Sequence, residues 1–286
     1  AGYTTSLARS VRAHEVKVNG LNPGWVDTDM SRAYLPDGDA EWSTPDEIEV
    51  PNGNTVWESS NKILTPKKDV TIKWENKKGL TFSQKISIDE NFVIKVEQTV
   101  LNQSGNSIRL YPYGLIRRTG EPATTDFFVL HEGPLGVFDG SLTEKSYSDL
   151  KESGQKGISH KTEKSGGWIG ITDKYWMAAL IPDQSTKSKF TYRYINNSGS
   201  YQTDFLGDLI VVPPKSKKII TSRVFSGAKK LNLLDQYEND LNIEHFDLAI
   251  DFGWFYFLTK PFFYALSWAN NFLGNFGLAI LLITVI

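Results

Sequence analysis

The stretch FVIKVEQTV, residues 92–100, puts Phe92, Ile94 and Val96 on one side and Lys95 and Glu97 on the other. That two-residue period marks a strand with one face in a core and the other in water. The runs VTIKW, LTFSQKISI, SIRLYPYGLI, GWIGIT, YWMAALIP, KFTYRYI, DLIVV and KIITSRVF repeat it, and NKKG, NQSGN and NNSGS stand between them as turns. No helical spacing interrupts these runs from about Glu47 to Gly227. The expectation is a mainly β fold, an antiparallel β-sandwich and not a βαβ sheet. With 286 residues, 40% apolar and 22% charged, the chain has the material for one large domain or two modest ones.

After Gly227 the period changes. Leu231, Leu234, Tyr237 and Leu241 recur at helical spacing, which predicts a helix of five or six turns lying on the sandwich within residues 228–250. Then Trp254, Phe255, Tyr256, Phe257, Phe262, Phe263, Tyr264 and Trp268 crowd together with Lys260 as their only charge. Rings with an apolar body and a polar tip favour the boundary between headgroups and acyl chains. Residues 251–270 therefore read as an amphipathic helix along a membrane surface, bent near Pro261; the other reading is a buried helix packed on the sheet. The tail FGLAILLITVI is uncharged but shorter than the ~20 residues a spanning helix needs. Residues 271–286, with Phe276, Leu278, Ile280, Leu281, Leu282 and Ile283, are expected to begin a transmembrane helix, the alternative being a buried terminal strand.

The chemistry-bearing residues are sparse. A net charge of -2 with dispersed Lys and Arg offers no field for a phosphate backbone, so nucleic acid is an unsuitable partner. The absence of cysteine removes disulfides, thiol nucleophiles and Cys-type zinc sites. His14, His131, His160 and His245 are scattered, without the H-E-x-x-H spacing or a close partner that metal binding needs. His131 and Glu132 would point to opposite faces of a strand, so they read as part of a structural turn. The lysines of KSKK, from Lys215, read as a solvated turn, and Arg117 and Arg118 as strand-end charges. SGNS, NNSGS and SGGWIG read as turns, not phosphate loops. The opening AGYTTSLARS lacks the apolar core of a signal peptide.

PNGNTVW, LTPKKDVTIKW, GGWIGITDKYWMAALIPD, SRVFSGAKKLNLLDQYE and FDLAIDFGWFYFLTKPFFYAL carry a resemblance. From about Glu47 to Ile286 the chain resembles the YidC/Oxa1 membrane protein insertases of Gram-negative bacteria, most closely those of alphaproteobacteria. The resemblance implies a β-supersandwich periplasmic domain similar to galactose mutarotases over residues 46–227, followed by the helix of 228–250, the interfacial helix and the transmembrane start. It implies an inner-membrane location with the β domain in the periplasm, and nascent inner-membrane proteins, Sec translocon components and the lipid bilayer as partners. It also implies no enzymatic activity and no nucleotide, metal or organic cofactor. Insertion in that family belongs to later helices and a groove arginine, expected beyond Ile286. A carbohydrate-binding or mutarotase-like sandwich is the competing reading.

Residues 1–45 carry a second resemblance. SLARSVRAHEVKVNGLNPGWVDTDM is similar to the late part of a short-chain dehydrogenase/reductase, which would set Pro23, Gly24, Val26 and Thr28 near a nicotinamide. The glycine-rich loop and the Tyr-x-x-x-Lys pair are missing: Leu7 stands where Tyr3 would need its lysine. No hydride-transfer site can be assembled from this piece. It reads as a fused fragment or as a divergent N-terminus.

Overall fold

Short polar turns join most of the strands into hairpins. The computed structural model describes residues 49–51, 55–122, 130–253 and 255–285, so the readings of residues 1–45 and of Trp254 lie outside the described residues. β2 (Val70–Glu75), β3 (Leu80–Ile88) and β4 (Val93–Asn102) form a meander, and the long β15 (Ser216–Ala228) pairs with β4. The sheet continues through β11 (Trp176–Ile181), β10 (Trp168–Thr172), β7 (Gly133–Phe138) and β8 (Ser141–Glu144), with β1 (Glu58–Ser59) at the opposite edge. A four-stranded sheet has the order β6 (Tyr113–Thr119), β13 (Ser200–Gly207), β12 (Ser188–Ile195), β9 (Ile158–Lys161). β5 (Ile108–Leu110) and β14 (Ile210–Val212) make a small ribbon. The fold is mainly β, with two facing sheets.

Alternation along the strands sorts the core into layers. On β4, Ile94 and Val96 turn toward the four-stranded sheet and join Ile169, Ile171, Phe190, Tyr192, Tyr201 and Phe205. Val93, one residue away, points to the other face, where it meets Trp168, Phe225, Leu234, Tyr237 and Phe246. The nine-stranded sheet is thus apolar on both faces over its central strands. Its second face is covered by α2 (Leu231–Leu241) and by the 3-10 turn Phe246–Ala249.

Several sequence expectations change in detail. Phe92 does not share the face of Ile94: the side chain of Asp89 accepts from the amides of Asn91 (2.9 Å) and Val93 (2.8 Å), and this turn forces Phe92 to φ 80 and outward. SIRLYPYGLI is two strands in different sheets, because Pro112 has no amide to continue a ladder. A helix does interrupt the strands: α1 (Tyr147–Ser153) is nucleated by a reciprocal cap between Ser146 and Asp149 and buries Tyr147 and Leu150. α2 has 11 residues, about three turns, instead of five or six, because Asn242 takes a left-handed conformation (φ 52) and ends it.

The C-terminal part forms α3 (Tyr256–Leu273) and α4 (Phe276–Val285). α3 runs unbroken through Pro261. The helix ends at Gly274 (φ 66), and the side chain of Asn275 accepts from the amide of Gly277 at 2.7 Å and so caps α4. Among the described residues, no helix is long and apolar enough to cross a membrane.

Candidate functional site

α2 and the following 3-10 turn present acids at one end of the domain. Asp247 lies in the turn with its side chain only 2% exposed, next to the fully buried Phe246. Its backbone amide donates to Glu238 of α2 at 3.1 Å. Burial holds the Glu238 carboxyl above the usual carboxylate range. Asp235, one turn earlier on α2, projects in the same direction.

α3 answers with two residues at i and i+4. The Lys260 ammonium donates to Asp247 Oδ2 at 2.6 Å and lies 3.7 Å from Asp235 Oδ1. The Tyr264 hydroxyl donates to Asp235, and Lys260 also sits 6.0 Å from the Tyr264 ring centroid. Burial, followed by the carboxylate of Asp235, pushes the Tyr264 phenol up to about 12. A buried carboxylate needs a partner, and Lys260 supplies the charge.

Most of the remaining α3 and α4 surface is apolar and open. Phe255, Phe257, Phe262, Phe263 and Trp268 are exposed, Phe257 at 74% and Trp268 at 65%. Trp268 stacks on Phe272 at 6.3 Å, and Phe263 meets Phe252 edge-on. On α4, Phe276, Leu278, Ile280, Leu281 and Leu282 are exposed and Ile283 is half-buried. Ala269 and Ala279 are fully buried and α3 packs on α4, an arrangement that small side chains permit. Trp254 and the Tyr256 side chain lie outside the described residues.

The other singled-out groups are held within the domain. A ring nitrogen of His131 lies 3.1 Å from the Pro134 carbonyl, and its backbone amide donates to Asp251. His160 stacks on Phe138 at 4.9 Å, and burial lowers its pKa. Arg117 donates to Gln202 and Arg118 to Asp173. Lys215 occupies a turn position with φ 56. His245 is different: its ring comes within 4.8 Å of ligand atoms of Glu238 and Asp247, a neighbourhood the sequence reading missed. The Lys260 ammonium already neutralises Asp247 there, which disfavours a second cation. Asp235 and Asp247 also escaped notice in the sequence. The available signal was a lysine and a tyrosine four residues apart on a helix with no other charged residue.

Comparison with known proteins places this geometry in a family. Residues 38–265 match the family model described as the YidC periplasmic domain. The chain is 43% identical over 246 residues to the membrane protein insertase YidC of Rickettsia prowazekii (strain Madrid E), covering 85% of this chain and 43% of that protein. With the membrane protein insertase YidC of Rickettsia bellii (strain OSU 85-389) the identity is 42% over 266 residues, 91% of this chain and 46% of that one. The chain thus spans less than half the length of these curated relatives. Among solved structures, a galactose mutarotase related enzyme from Lactobacillus acidophilus is 11% identical, with a TM-score of 0.44 over 60% of this chain and 71% of that one. The family match favours the insertase reading over the carbohydrate-binding one, and this chain belongs to the YidC periplasmic domain family.

Proposed function

We propose that this chain is the periplasmic portion of a bacterial inner-membrane protein insertase, and that it supports insertion without catalysing a reaction. The β domain of residues 46–227, with the helical segment of 228–250, stands in the periplasm as a rigid base. Residues 251–270 lie in the headgroup layer, where Phe255, Phe257, Phe262, Phe263 and Trp268 insert their rings while Lys260 and Tyr264 turn to the polar side, toward the domain. Residues 271–286, including Phe276, Leu278, Ile280, Leu281, Leu282 and Ile283, begin the descent into the bilayer. The partners are the lipid bilayer, nascent inner-membrane proteins and Sec translocon components.

One observation carries this reading: among the described residues, most of the exposed large apolar side chains belong to α3 and α4, not to the sheets. An open apolar surface of this kind marks a site of association. Burying a Phe or Trp ring in an apolar medium stabilises by ~1.5–3 kcal/mol, so a few rings suffice for firm partition. The names of the relatives, membrane protein insertases, point the same way.

The test is flotation of the full chain with vesicles of bacterial phospholipid. The wild-type chain should rise with the vesicles, and the triple variant Phe262→Ser/Phe263→Ser/Trp268→Ser should partition far more weakly with its β domain still folded. A wild-type chain that stays with the buffer refutes the reading.

A further inference from the structure

We propose that Lys260 is a positioning residue: it latches the aromatic helix α3 onto the domain through a socket of two acids and so sets the direction in which the rings face. The inference rests on the membrane reading above for its purpose, though not for its geometry.

A lone lysine on an interfacial helix ordinarily extends its ammonium outward to water or headgroups. Here the side chain is 22% exposed and turns inward, with 2.6 Å to Asp247 Oδ2 and 3.7 Å to Asp235 Oδ1. The two acids come from different elements, Asp235 from α2 and Asp247 from the 3-10 turn, so a single ammonium ties α3 to both. Tyr264, one turn further along the same face of α3, donates to Asp235 and gives the helix a second point of attachment. Two attachments one turn apart fix rotation about the helix axis as well as distance. With that rotation fixed, Phe257, Phe262 and Trp268 remain exposed.

The approach to α3 is built as an anchored start followed by a swivel. Asp251 is bound at both oxygens, Oδ2 to the amide of His131 at 3.2 Å and Oδ1 to the amide of Gly253 at 2.8 Å. Gly253 itself has φ 70, and a Cβ placed there would meet nothing within 4 Å. Glycine at an open left-handed position changes direction easily. Across it the Thr259 hydroxyl of α3 donates to the Phe252 carbonyl at 2.8 Å and Phe263 meets Phe252, local ties to the linker that the acid socket extends to the core. The socket is deep in the fold: Asp247 is flanked in the turn by Phe246, buried against Trp168 and Phe225. An orientation set there is referred to the core and not to a surface loop.

The chain has no cysteine, so two introduced cysteines are unique labelling sites. Spin labels at the exposed positions Glu163 and Asn271 of the full chain in detergent micelles report the distance between domain and α3 by pulsed electron resonance. The original chain should give one narrow distribution. Lys260→Met should broaden it about twofold or more, as expected for release of a hinge-linked element, and Lys260→Arg should keep it narrow. Asp235→Asn, at the rim of the socket, should broaden it with the domain's circular dichroism unchanged, which keeps the test open if a change at buried Asp247 prevents folding. A Lys260→Met distribution as narrow as the original overturns the latch. Flotation separates the two proposals: Lys260→Met should still rise with vesicles, because its rings are intact. A chain that fails to float yet loses its narrow distance on Lys260→Met would refute the membrane reading and leave the latch standing.

Discussion

Phe246 joins the helical segment to the sheet, and its removal gives a quantitative test of the layered core. The ring is fully buried and meets Trp168 edge-on at 5.4 Å and Phe225 edge-on at 5.6 Å. Phe246→Ala deletes the ring and leaves a cavity between the 3-10 turn and the second face of the large sheet. Such truncations cost ~3–5 kcal/mol. Two edge-to-face partners, each contributing ~0.5–1.5 kcal/mol beyond buried area, place this site in the upper half of that range. At ~2–4 °C per kcal/mol for a domain of 150–250 residues, the midpoint should fall by roughly 8–20 °C. The assay is thermal unfolding by near-ultraviolet circular dichroism in detergent, with exposed Phe272→Ala as a control that should move it little. Hydrogen exchange adds a spatial readout. If the turn and α2 release before the sheet, protection is lost there first and the measured cost is capped by that local opening. A Phe246→Ala protein within ~1 kcal/mol of the original, with α2 still protected, would refute the claim that this segment is part of the core.

Three further outcomes follow from other parts of the fold. A Cβ at Gly170 would lie 2.4 Å from the Ala178 carbonyl on the neighbouring strand, so Gly170→Ala should cost ~1–3 kcal/mol or more in a urea titration. Buried Asn102 donates to the carbonyls of Asn106 (2.8 Å) and Val212 (2.9 Å); Asn102→Ala should cost ~1–3 kcal/mol and loosen hydrogen exchange at β5 and β14 before the central strands. Burial raises the phenols of Tyr113, Tyr147 and Tyr192 above their ordinary value, so the folded chain keeps protons that the unfolded chain releases. Their contribution is present in full below about pH 10 and is lost as pH rises above it. Tyrosinate absorbance should therefore appear together with unfolding, and ionisation like free tyrosine in an intact fold would contradict this.

The strands legible in the sequence are those whose two faces differ. VTIKW and LTFSQKISI alternate because one side meets the small sheet or ribbon and the other is more open, and β2 and β3 lie where they were read. β7, GPLGVF, was missed because all six of its residues are buried, so no alternation survives, and Gly and Pro suggest a turn. At Gly136 a Cβ would come 2.6 Å from the Trp168 carbonyl, so a residue that looks like a turn former is required by close strand approach. Phe92 misled in the opposite way: it continues the apolar phase of Ile94 and Val96, yet the turn held by Asp89 keeps it outside β4, which begins at Val93. At the candidate site, the aromatic run was legible as composition. The socket was not, because Asp247 and Lys260 are 13 residues apart and meet only through the turn of the chain around Gly253.

The arrangement of layers explains how a β domain can orient a helix outside it. A sandwich core lies between two sheets, so its usual outer faces are polar and offer little purchase. Here the large sheet is apolar on its second face too, through Val93, Leu135, Val137, Met177 and Phe225. That face demands a cover, and α2 with the 3-10 turn supplies it by burying Leu234, Tyr237, Ile243 and Phe246. The same cover carries Asp235 and Asp247, and the buried position of Asp247 makes a cation there far more valuable than at an open surface. Lys260 meets that need, so the packing of Phe246 against Trp168 and Phe225 is transmitted through two charges to the helix that bears the exposed rings. Variants in the second-face core should accordingly disturb the α3 distance even where they leave the inter-sheet core intact, whereas variants between the sheets should disturb it only by unfolding the domain.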